Sequence, residues 1–260
     1  MKVLILTSSL NGTAAHHLEV ILKEPSIEVV SVIFNQGMVK SKYKKAIQKC
    51  KKLFKIGLLG ALNGIKMRRW YQQDLSAYLQ INNLENICRE NKVPFFKTER
   101  INSEQTVTLF KNAKADIGLS LGNGYIVKKV FSILPFGMLN IHHELLPDYQ
   151  NAQSVIWQIY NGSKNTGYTI HKINEKIDAG EILLQEALPI QFEETFASTV
   201  SATYALLLKH SAEGLVRVLK SYETFLKSAK TQGHGHTYTT PSYRQYLKMK
   251  SQFIQLKNKV

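Results

Sequence analysis

Cysteine is scarce in this sequence, and long apolar runs are missing from it. The 260 residues include two cysteines, Cys50 and Cys88, which form no CxxC pair and are too few for a disulfide scaffold. No apolar run reaches the roughly 20 residues that a membrane-spanning helix needs. The opening stretch MKVLILTSSLNG becomes polar too early for a cleavable signal peptide and predicts a buried strand instead. We therefore expect a cytoplasmic protein.

Acidic residues are also few. The 19 Asp and Glu stand against 34 Lys and Arg, which gives a formal net charge of +15. Such an excess favours anionic partners such as phosphorylated small molecules, nucleic acid or an acidic membrane surface, although a lysine-rich solvated surface explains it equally well. A hydrophobic fraction of 44% is ample for a core, so the composition excludes a globally disordered chain.

Buried apolar segments alternate with helical patterns along the chain. Residues 3–6 predict a strand, and an Asn-Gly turn, a helix at 14–22 and a second strand at 28–34 follow. Further strands are predicted at 93–96, 117–121, 138–142, 168–173 and 181–185, with helices at 75–91 and 197–220. This order predicts an α/β fold with a doubly wound, mostly parallel sheet, in which ligands gather at the carboxyl ends of the strands.

A basic segment interrupts this alternation at about residues 39–75. Its lysines and apolar residues recur at helical spacing, which predicts a basic amphipathic helix inserted into a domain that spans 1–225. Three roles fit it: a solvated face packed on the domain, docking of a polyphosphate ligand, or contact of residues 40–69 with a membrane surface. Residues 226–260 are predicted to form a short, basic C-terminal extension.

Three polar residues at predicted strand ends and turns could carry chemistry. Asn140 and His142 are two positions apart on a strand, so their side chains point to the same face. A carboxamide can donate a hydrogen bond to a developing oxyanion, and a neutral imidazole can accept a proton. Taken alone the signal is weak, because strand-end histidines are often structural and Asp178 could simply be a turn aspartate that bonds its own backbone.

An ordered series of short motifs surrounds these three residues. L-N-I-H occupies 139–142, L-L-P-D-Y occupies 145–149, N-G follows at 161–162, T-G-Y-T-I-H at 166–171 and D-A-G-E-I-L at 178–183. The series resembles the 10-formyltetrahydrofolate-dependent formyltransferase family, closely over 117–190 and loosely over 1–225. The resemblance implies a Rossmann-like formyltransferase fold and an enzyme that moves a formyl group from 10-formyltetrahydrofolate to a primary amine.

The resemblance also implies roles for individual residues. Asn140 would polarise the formyl oxygen, His142 would position and move protons, and Asp178 would orient the imidazole and an ordered water. The folate pterin would lie against backbone and apolar groups of Asn123, Gly124, Tyr125, Ile126, Asn174 and Ile177. His143 receives no role, His171 is expected to be structural, and no metal site is predicted.

The acceptor amine is indicated by departures from the family pattern. Gln150 and Asn151 begin the stretch that faces the amine, where enzymes of purine synthesis and initiator-tRNA formylation usually carry glycine and proline. Residues 201–212 lack the acid that a glycinamide ribonucleotide formyltransferase would present, and about 35 residues after 225 are too few for a tRNA-binding domain. These departures favour the sugar N-formyltransferase branch of the family. The expected acceptor is then an amino sugar of a nucleotide-linked sugar, which carries phosphate groups, and no nucleic acid partner is expected.

Two alternatives stay open. Glycinamide ribonucleotide formyltransferase is favoured by a loop of backbone amides at a helix start, which could hold a phosphate and comprises Ser8, Asn11, Gly12 and Thr13. From a different class comes a non-catalytic module that binds nucleic acid or anionic membrane through residues 40–69.

Overall fold

A seven-stranded sheet forms the centre of the protein. The computed structural model describes residues 1–37 and 42–259, with the backbone alone for residues 42–52 and 55. The strands are β1 (Lys2–Thr7), β2 (Glu28–Asn35), β3 (Phe95–Thr98), β4 (Ile117–Leu121), β5 (Met138–His142), β6 (Asn165–Lys172) and β7 (Ile182–Pro189). They lie in the order β3-β2-β1-β4-β5-β6-β7. The first five are parallel, and β6 and β7 run antiparallel to their neighbours, which confirms the predicted fold class.

Helices cover both faces of this sheet. They are α1 (Thr13–Ile21), α2 (Lys42–Trp70), α3 (Leu84–Glu90), α4 (Glu104–Ala113), α5 (Lys128–Phe131), α6 (Ile156–Tyr160), α7 (Phe196–Lys220), α8 (Tyr222–Lys227) and α9 (Tyr243–Lys257). Successive side chains of β1 point to opposite faces, so Val3 and Ile5 join one apolar cluster while Leu4 and Leu6 join another. Burial on both faces explains why this strand is apolar throughout.

The prediction of a helix at 75–91 is wrong for the first half of that range. A 3-10 helix occupies Asp74–Ala77, and α3 begins only at Leu84. The side chain of Asn83 accepts hydrogen bonds from the backbone N–H groups of Glu85 and Asn86 and so caps α3. Asparagine competes for backbone hydrogen bonds in this way, and it therefore starts helices better than it continues them.

The basic segment forms two helical stretches of α2 that meet at a kink at Gly57. Gly57 has φ +74°, a left-handed conformation that glycine adopts without steric penalty, and α2 continues beyond it to Trp70. Met67 and Trp70 are buried in the same cluster as the strands. Among the described residues, no helix has the length and apolar content needed to cross a membrane.

The last helix packs onto the domain. Ser242 and Gln245 form a reciprocal capping box that starts α9. Met249, Phe253 and Leu256 are buried in the main apolar cluster, and the ring of Phe253 stacks on Phe196 of α7 with 5.5 Å between ring centroids. The side chains of α9 thus complete the core beside α2 and α6.

The sheet order places its topological switch point between β1 and β4. From β1 the chain first adds strands on one side, β2 and β3, and then returns to the other side with β4 and β5. Thr7 pairs with Leu121, and Ser120 pairs with Asn140, so the carboxyl ends of β1, β4 and β5 meet at one edge. Ligands of open α/β sheets bind in the crevice at such a point.

Candidate active site

Two adjoining cavities open at this edge of the sheet. The first, which we name the Asn140 cavity, has a volume of about 310 Å³. The second, the Arg68 cavity, has a volume of about 340 Å³. Gly122 and Ala152 line both cavities, so groups bound in the two can meet there. The polar side chains that converge on the first cavity include Asn140, His142, His171 and Asp178.

Asn140 is held by a histidine on the neighbouring antiparallel strand. Asn140 and His171 are direct partners in the pairing of β5 with β6, and Asn140 Nδ2 lies 3.2 Å from His171 Nε2. His171 Nδ1 lies 2.9 Å from the Lys172 carbonyl, to which it must donate, so Nε2 is the acceptor for the Asn140 amide. Burial lowers the pKa of His171 to about 4, which keeps the ring neutral near pH 7.

His142 has one ring nitrogen fixed and the other free for chemistry. Nε2 donates to the Tyr149 carbonyl at 2.8 Å, which leaves Nδ1 as the free nitrogen. Nδ1 lies 4.0 Å from Asp178 Oδ2, and both side chains are mostly buried, with 13% and 14% exposed. A proton that arrives at Nδ1 therefore faces a carboxylate.

Asp178 sits in a tight turn that points its carboxylate at both histidines. Its φ is +50°, and Oδ1 lies 3.9 Å from His171 Nε2. Oδ2 accepts a hydrogen bond from the backbone N–H of Asn151 at 3.1 Å. The turn lies against the end of β6, where a Cβ on Gly180 would overlap the Lys172 carbonyl oxygen. Position 180, two residues after Asp178, therefore requires a glycine on steric grounds, because a larger residue would keep the turn from approaching β6.

The six residues predicted for the folate pocket all line the Asn140 cavity; they are Asn123, Gly124, Tyr125, Ile126, Asn174 and Ile177. The Asn123 side chain is engaged within the protein, since it donates to the Leu6 carbonyl and accepts from Ser8. Asn174 donates to the Ala179 carbonyl and so closes the Asp178 turn. Tyr125 and Ile177 are half or more exposed at the rim, where a flat ligand can contact them.

Four of the six predicted substrate residues line one of the two cavities. Asn11, Gly12 and Thr13 line the Arg68 cavity, and Asn151 lines the Asn140 cavity. Ser8 lines neither, because its hydroxyl bonds the side chains of Asn35 and Asn123. Gln150 lines a third, adjoining cavity instead, and its side chain donates to the Asp178 carbonyl at 3.4 Å.

The Arg68 cavity contains residues that the sequence did not indicate. Arg68, Tyr71 and Gln72 come from the end of α2 and the turn after it, and Tyr204 comes from α7. Tyr71 donates to the Ser154 carbonyl at 2.6 Å, and its ring lies edge-on to Tyr204 at 5.2 Å. The basic segment therefore builds one wall of this cavity. Only the composition of the segment hinted at a ligand role.

A group of buried polar side chains lies next to Tyr204, whose ring is 5.3 Å from that of His143. Ser211 of α7 bonds both His17 Nε2 at 3.0 Å and His143 Nε2 at 3.2 Å. Burial lowers the pKa of both imidazoles, for His143 to about 3. Glu144, next in the chain, is fully buried, and this burial raises its pKa well above the ordinary value.

No cluster suited to a metal ion is found among the described residues, counting groups of three or more His, Cys, Asp or Glu side chains. The arrangement offers amide donors, two imidazoles and one carboxylate. This set is suited to acid–base and oxyanion chemistry at a carbonyl group.

Comparison with curated proteins finds methionyl-tRNA formyltransferases. That of Kosmotoga olearia is 34% identical over 116 residues, which are 44% of this chain and 37% of the relative. That of Thermotoga maritima is 30% identical over 156 residues, 60% of this chain and 49% of the relative. The chain thus matches about half or less of the length of these relatives.

Solved structures share the fold at low sequence identity. The sugar 3N-formyltransferase WlaRD superposes with a TM-score of 0.54 at 19% identity, over 91% of this chain and 69% of that one. Phosphoribosylglycinamide formyltransferase from Bacillus halodurans gives 0.55 at 18% identity, over 84% and 95%. The formyl transferase family itself matches residues 1–219. The resemblance seen in the motifs is therefore confirmed, and the chain belongs to the formyl transferase family.

Proposed function

We propose that this protein transfers a formyl group from 10-formyltetrahydrofolate to a primary amine in the Asn140 cavity. The observation that carries the proposal is the convergence of Asn140, His142 and Asp178 on one cavity at the switch point of the sheet, in a chain of the formyl transferase family. These residues supply an oxyanion donor, a proton acceptor and a carboxylate that favours the protonated imidazole.

Asn140 is the oxyanion donor in this proposal. One hydrogen of its Nδ2 is taken by His171, which fixes the carboxamide plane, and the other hydrogen is left for the cavity. An oriented donor of this kind typically contributes a factor of about 10² to 10³ to the rate of acyl transfer. His171 acts through Asn140 and is a positioning residue.

His142 and Asp178 move the protons. The attacking amine must lose a proton as its nitrogen bonds to the formyl carbon, and the departing nitrogen must gain one. His142 Nδ1 accepts the first, and the Asp178 carboxylate at 4.0 Å stabilises the resulting imidazolium. A gap of this length admits a bridging water, through which the proton can be returned to the departing nitrogen.

The donor is 10-formyltetrahydrofolate, which when bound supplies the formyl carbon and a nitrogen leaving group. The cavity residues fit its pterin, a flat ring with polar edges. Ile126, Ile173 and Ile177 give the cavity apolar walls, while polar residues of the turns at 122–126 and 174–178, among them Asn123, Asn174 and Asp178, also line it. Such a combination of apolar walls and a few oriented polar groups is typical of cofactor pockets.

We propose that the acceptor is anionic and enters the Arg68 cavity. Of the residues that the structure describes, none that lines this cavity is acidic, whereas Arg68 contributes a guanidinium and Gly12 begins α1 without a side-chain cap. Guanidinium groups and uncapped helix starts both bind phosphate. The cavity adjoins Asn140 through Gly122 and Ala152, so an amine attached to a phosphorylated molecule can reach the formyl group.

An amino sugar of a nucleotide-linked sugar is our first choice of acceptor. The loop residues Ala152, Gln153 and Ser154 line the Arg68 cavity, as do Tyr204 and Leu208 of α7. The loop and residues 201–212, where the sequence departs from the family pattern, thus both contribute residues to the lining of the Arg68 cavity. A tyrosine and a leucine there provide an apolar contact surface for a sugar ring or a base.

Methionyl-tRNA is the second candidate acceptor, because the curated relatives at 34% and 30% identity bear that name. Its aminoacyl end would also bring an amine together with phosphates. Glycinamide ribonucleotide, whose formyltransferases share the fold, is the third.

One assay separates the acceptors. The protein is incubated with 10-formyltetrahydrofolate and, in separate reactions, an amino-sugar nucleotide panel, glycinamide ribonucleotide or methionyl-tRNA, and both tetrahydrofolate and the formylated product are quantified. We expect equal amounts of both with an amino-sugar nucleotide. Turnover on methionyl-tRNA alone, or on glycinamide ribonucleotide alone, would show that this compound and not an amino-sugar nucleotide is the acceptor. Salt-sensitive RNA binding without turnover on any amine would favour the binding module and contradict formyl transfer.

A further inference from the structure

The second half of α2 presents large apolar side chains to solvent. Leu58, Leu62 and Ile65 are 64%, 54% and 63% exposed and lie three or four residues apart, so they form one stripe along the helix. Leu59 beside the stripe is 54% exposed, and Phe54 before the bend at Gly57 is 92% exposed. Single exposed apolar residues are ordinary, but four neighbours on one helical stretch, with Phe54 just before the kink, mark an interaction surface.

The opposite face of the same helix explains why this stripe faces outward. Gly60 and Gly64 lie against the start of α9, where a Cβ on Gly60 would meet the backbone of Ser242 and Tyr243 at 3.3 to 3.4 Å. A Cβ on Gly64 would lie 3.1 Å from the Thr240 methyl group. Met67 and Trp70 anchor the end of α2 in the core, whereas beside α9 the helix packs through its glycines and keeps its leucines outside.

The charge around the stripe has one sign. Residues 29–73 include no Asp or Glu, and eleven Lys and Arg fall between Lys40 and Arg69. Lys66 and Arg69 are exposed on α2 beside the stripe. The neighbouring α9 likewise has four basic residues and no acidic one. The surface combines exposed aliphatic side chains with an excess of cations.

We propose that α2 docks this protein on an anionic lipid surface, with the Leu58, Leu62 and Ile65 stripe among the acyl chains and the flanking cations at the headgroups. Helices that lie in the membrane interface have this composition, with Lys and Arg on the polar side and leucine on the other. A second copy of the chain fits poorly because two such helices would bring like charges together. Nucleic acid fits poorly because phosphate and base contacts leave exposed leucines without a partner.

Vesicle sedimentation tests the proposal. The full chain is mixed with vesicles of phosphatidylglycerol and phosphatidylethanolamine, or with phosphatidylcholine vesicles, and the bound fraction is measured against salt. We expect binding to the anionic vesicles that weakens with salt and is weak on phosphatidylcholine. Leu58→Ser/Leu62→Ser should reduce it at least about ten-fold, since two leucines lose their transfer into lipid. Ile254→Ser, an exposed apolar residue of α9, is the matched control and should bind like the wild type.

Several results would overturn lipid docking. They are an absence of binding to the anionic vesicles, equal binding by Leu58→Ser/Leu62→Ser, or binding to tRNA with the same dependence on these two leucines. A dimer seen by analytical ultracentrifugation that Leu58→Ser/Leu62→Ser dissociates would assign the stripe to a second copy instead. Both leucines lie outside the two cavities, so circular dichroism and amine formylation of the variant should match the wild type and show that it folds.

Discussion

Asn140 Nδ2 lies 3.2 Å from Nε2 of His171, across the antiparallel pairing of β5 with β6. His171 donates from its other nitrogen to the Lys172 carbonyl, so it presents a lone pair to the amide and fixes which end of the carboxamide carries the hydrogens. Its pKa of about 4, lowered by burial, keeps that lone pair available at neutral pH. The proposed oxyanion donor is therefore oriented by a neighbouring strand, and its own strand does not provide this hydrogen bond.

His171→Leu should lower kcat about 100-fold while KM for 10-formyltetrahydrofolate changes little, because Asn140 loses its acceptor and its carboxamide can rotate. His171→Gln keeps an acceptor atom and should recover about ten-fold of that loss. Steady-state kinetics of both variants decides, with thermal unfolding as the check on folding. Equal kcat in His171→Leu and the wild type would show that His171 does not position Asn140 for catalysis.

Gly180→Ala should reduce turnover by at least about 100-fold and destabilise the fold by a few kcal/mol, since the added methyl overlaps the Lys172 carbonyl that fixes His171. Gly233→Ala is the matched control, because nothing lies within 4 Å of its Cβ position. Urea unfolding and the formylation rate are measured together. An unimpaired Gly180→Ala variant would show that the turn tolerates displacement from β6.

Arg68→Gln should raise KM for a phosphorylated acceptor about ten-fold or more and leave kcat at saturation nearly unchanged, because a charge-assisted contact to the acceptor is lost. Arg69→Gln removes the same charge from the next position of α2, which does not line the cavity. Its KM should stay close to the wild-type value at the same ionic strength. Similar KM values for the two variants would mean that Arg68 contributes only to the general field of the protein.

His143→Gln should flatten the loss of stability at acidic pH. Burial lowers the pKa of His143 from 6.5 to about 3, so between these values the unfolded chain binds a proton that the folded chain does not. Its contribution to stability is present above pH 6.5 and is lost as pH falls, by about 2 kcal/mol at pH 5. Urea unfolding at pH 7.5 and pH 5 should show His143→Gln losing about 2 kcal/mol less than the wild type. Parallel losses would place a protonated His143 in the folded state.

Much of the fold and of the Asn140 cavity was predictable from local patterns. The continuous apolar strands, such as β1, identify a sheet covered on both faces. The spacing of Asn140 and His142 places both on one face of β5, whereas Asp178 was predicted to join them only through the family resemblance. The first two relations depend on chain periodicity and strand ends, which a sequence displays directly.

The role of His171 was not predictable in the same way. Its contact with Asn140 depends on the register of β6 against β5, and a shift by one residue would turn the side chain to the other face. Arg68 presented the same difficulty. It reaches the acceptor cavity because α2 packs through Gly60 and Gly64 onto α9, a contact between segments far apart in the chain.

Formyl transfer by the wild type and by Asp178→Asn is the decisive measurement for the proposed roles of Asn140, His142 and Asp178. Asparagine preserves the shape of the side chain but removes the charge that faces His142 Nδ1 at 4.0 Å. We expect the wild type to convert 10-formyltetrahydrofolate and an amine into equal amounts of tetrahydrofolate and formylated amine. We expect Asp178→Asn to fold normally but to show at least about a 100-fold loss of turnover. Near-normal turnover by Asp178→Asn, or no turnover by the wild type on any of the three acceptor classes, would contradict these roles.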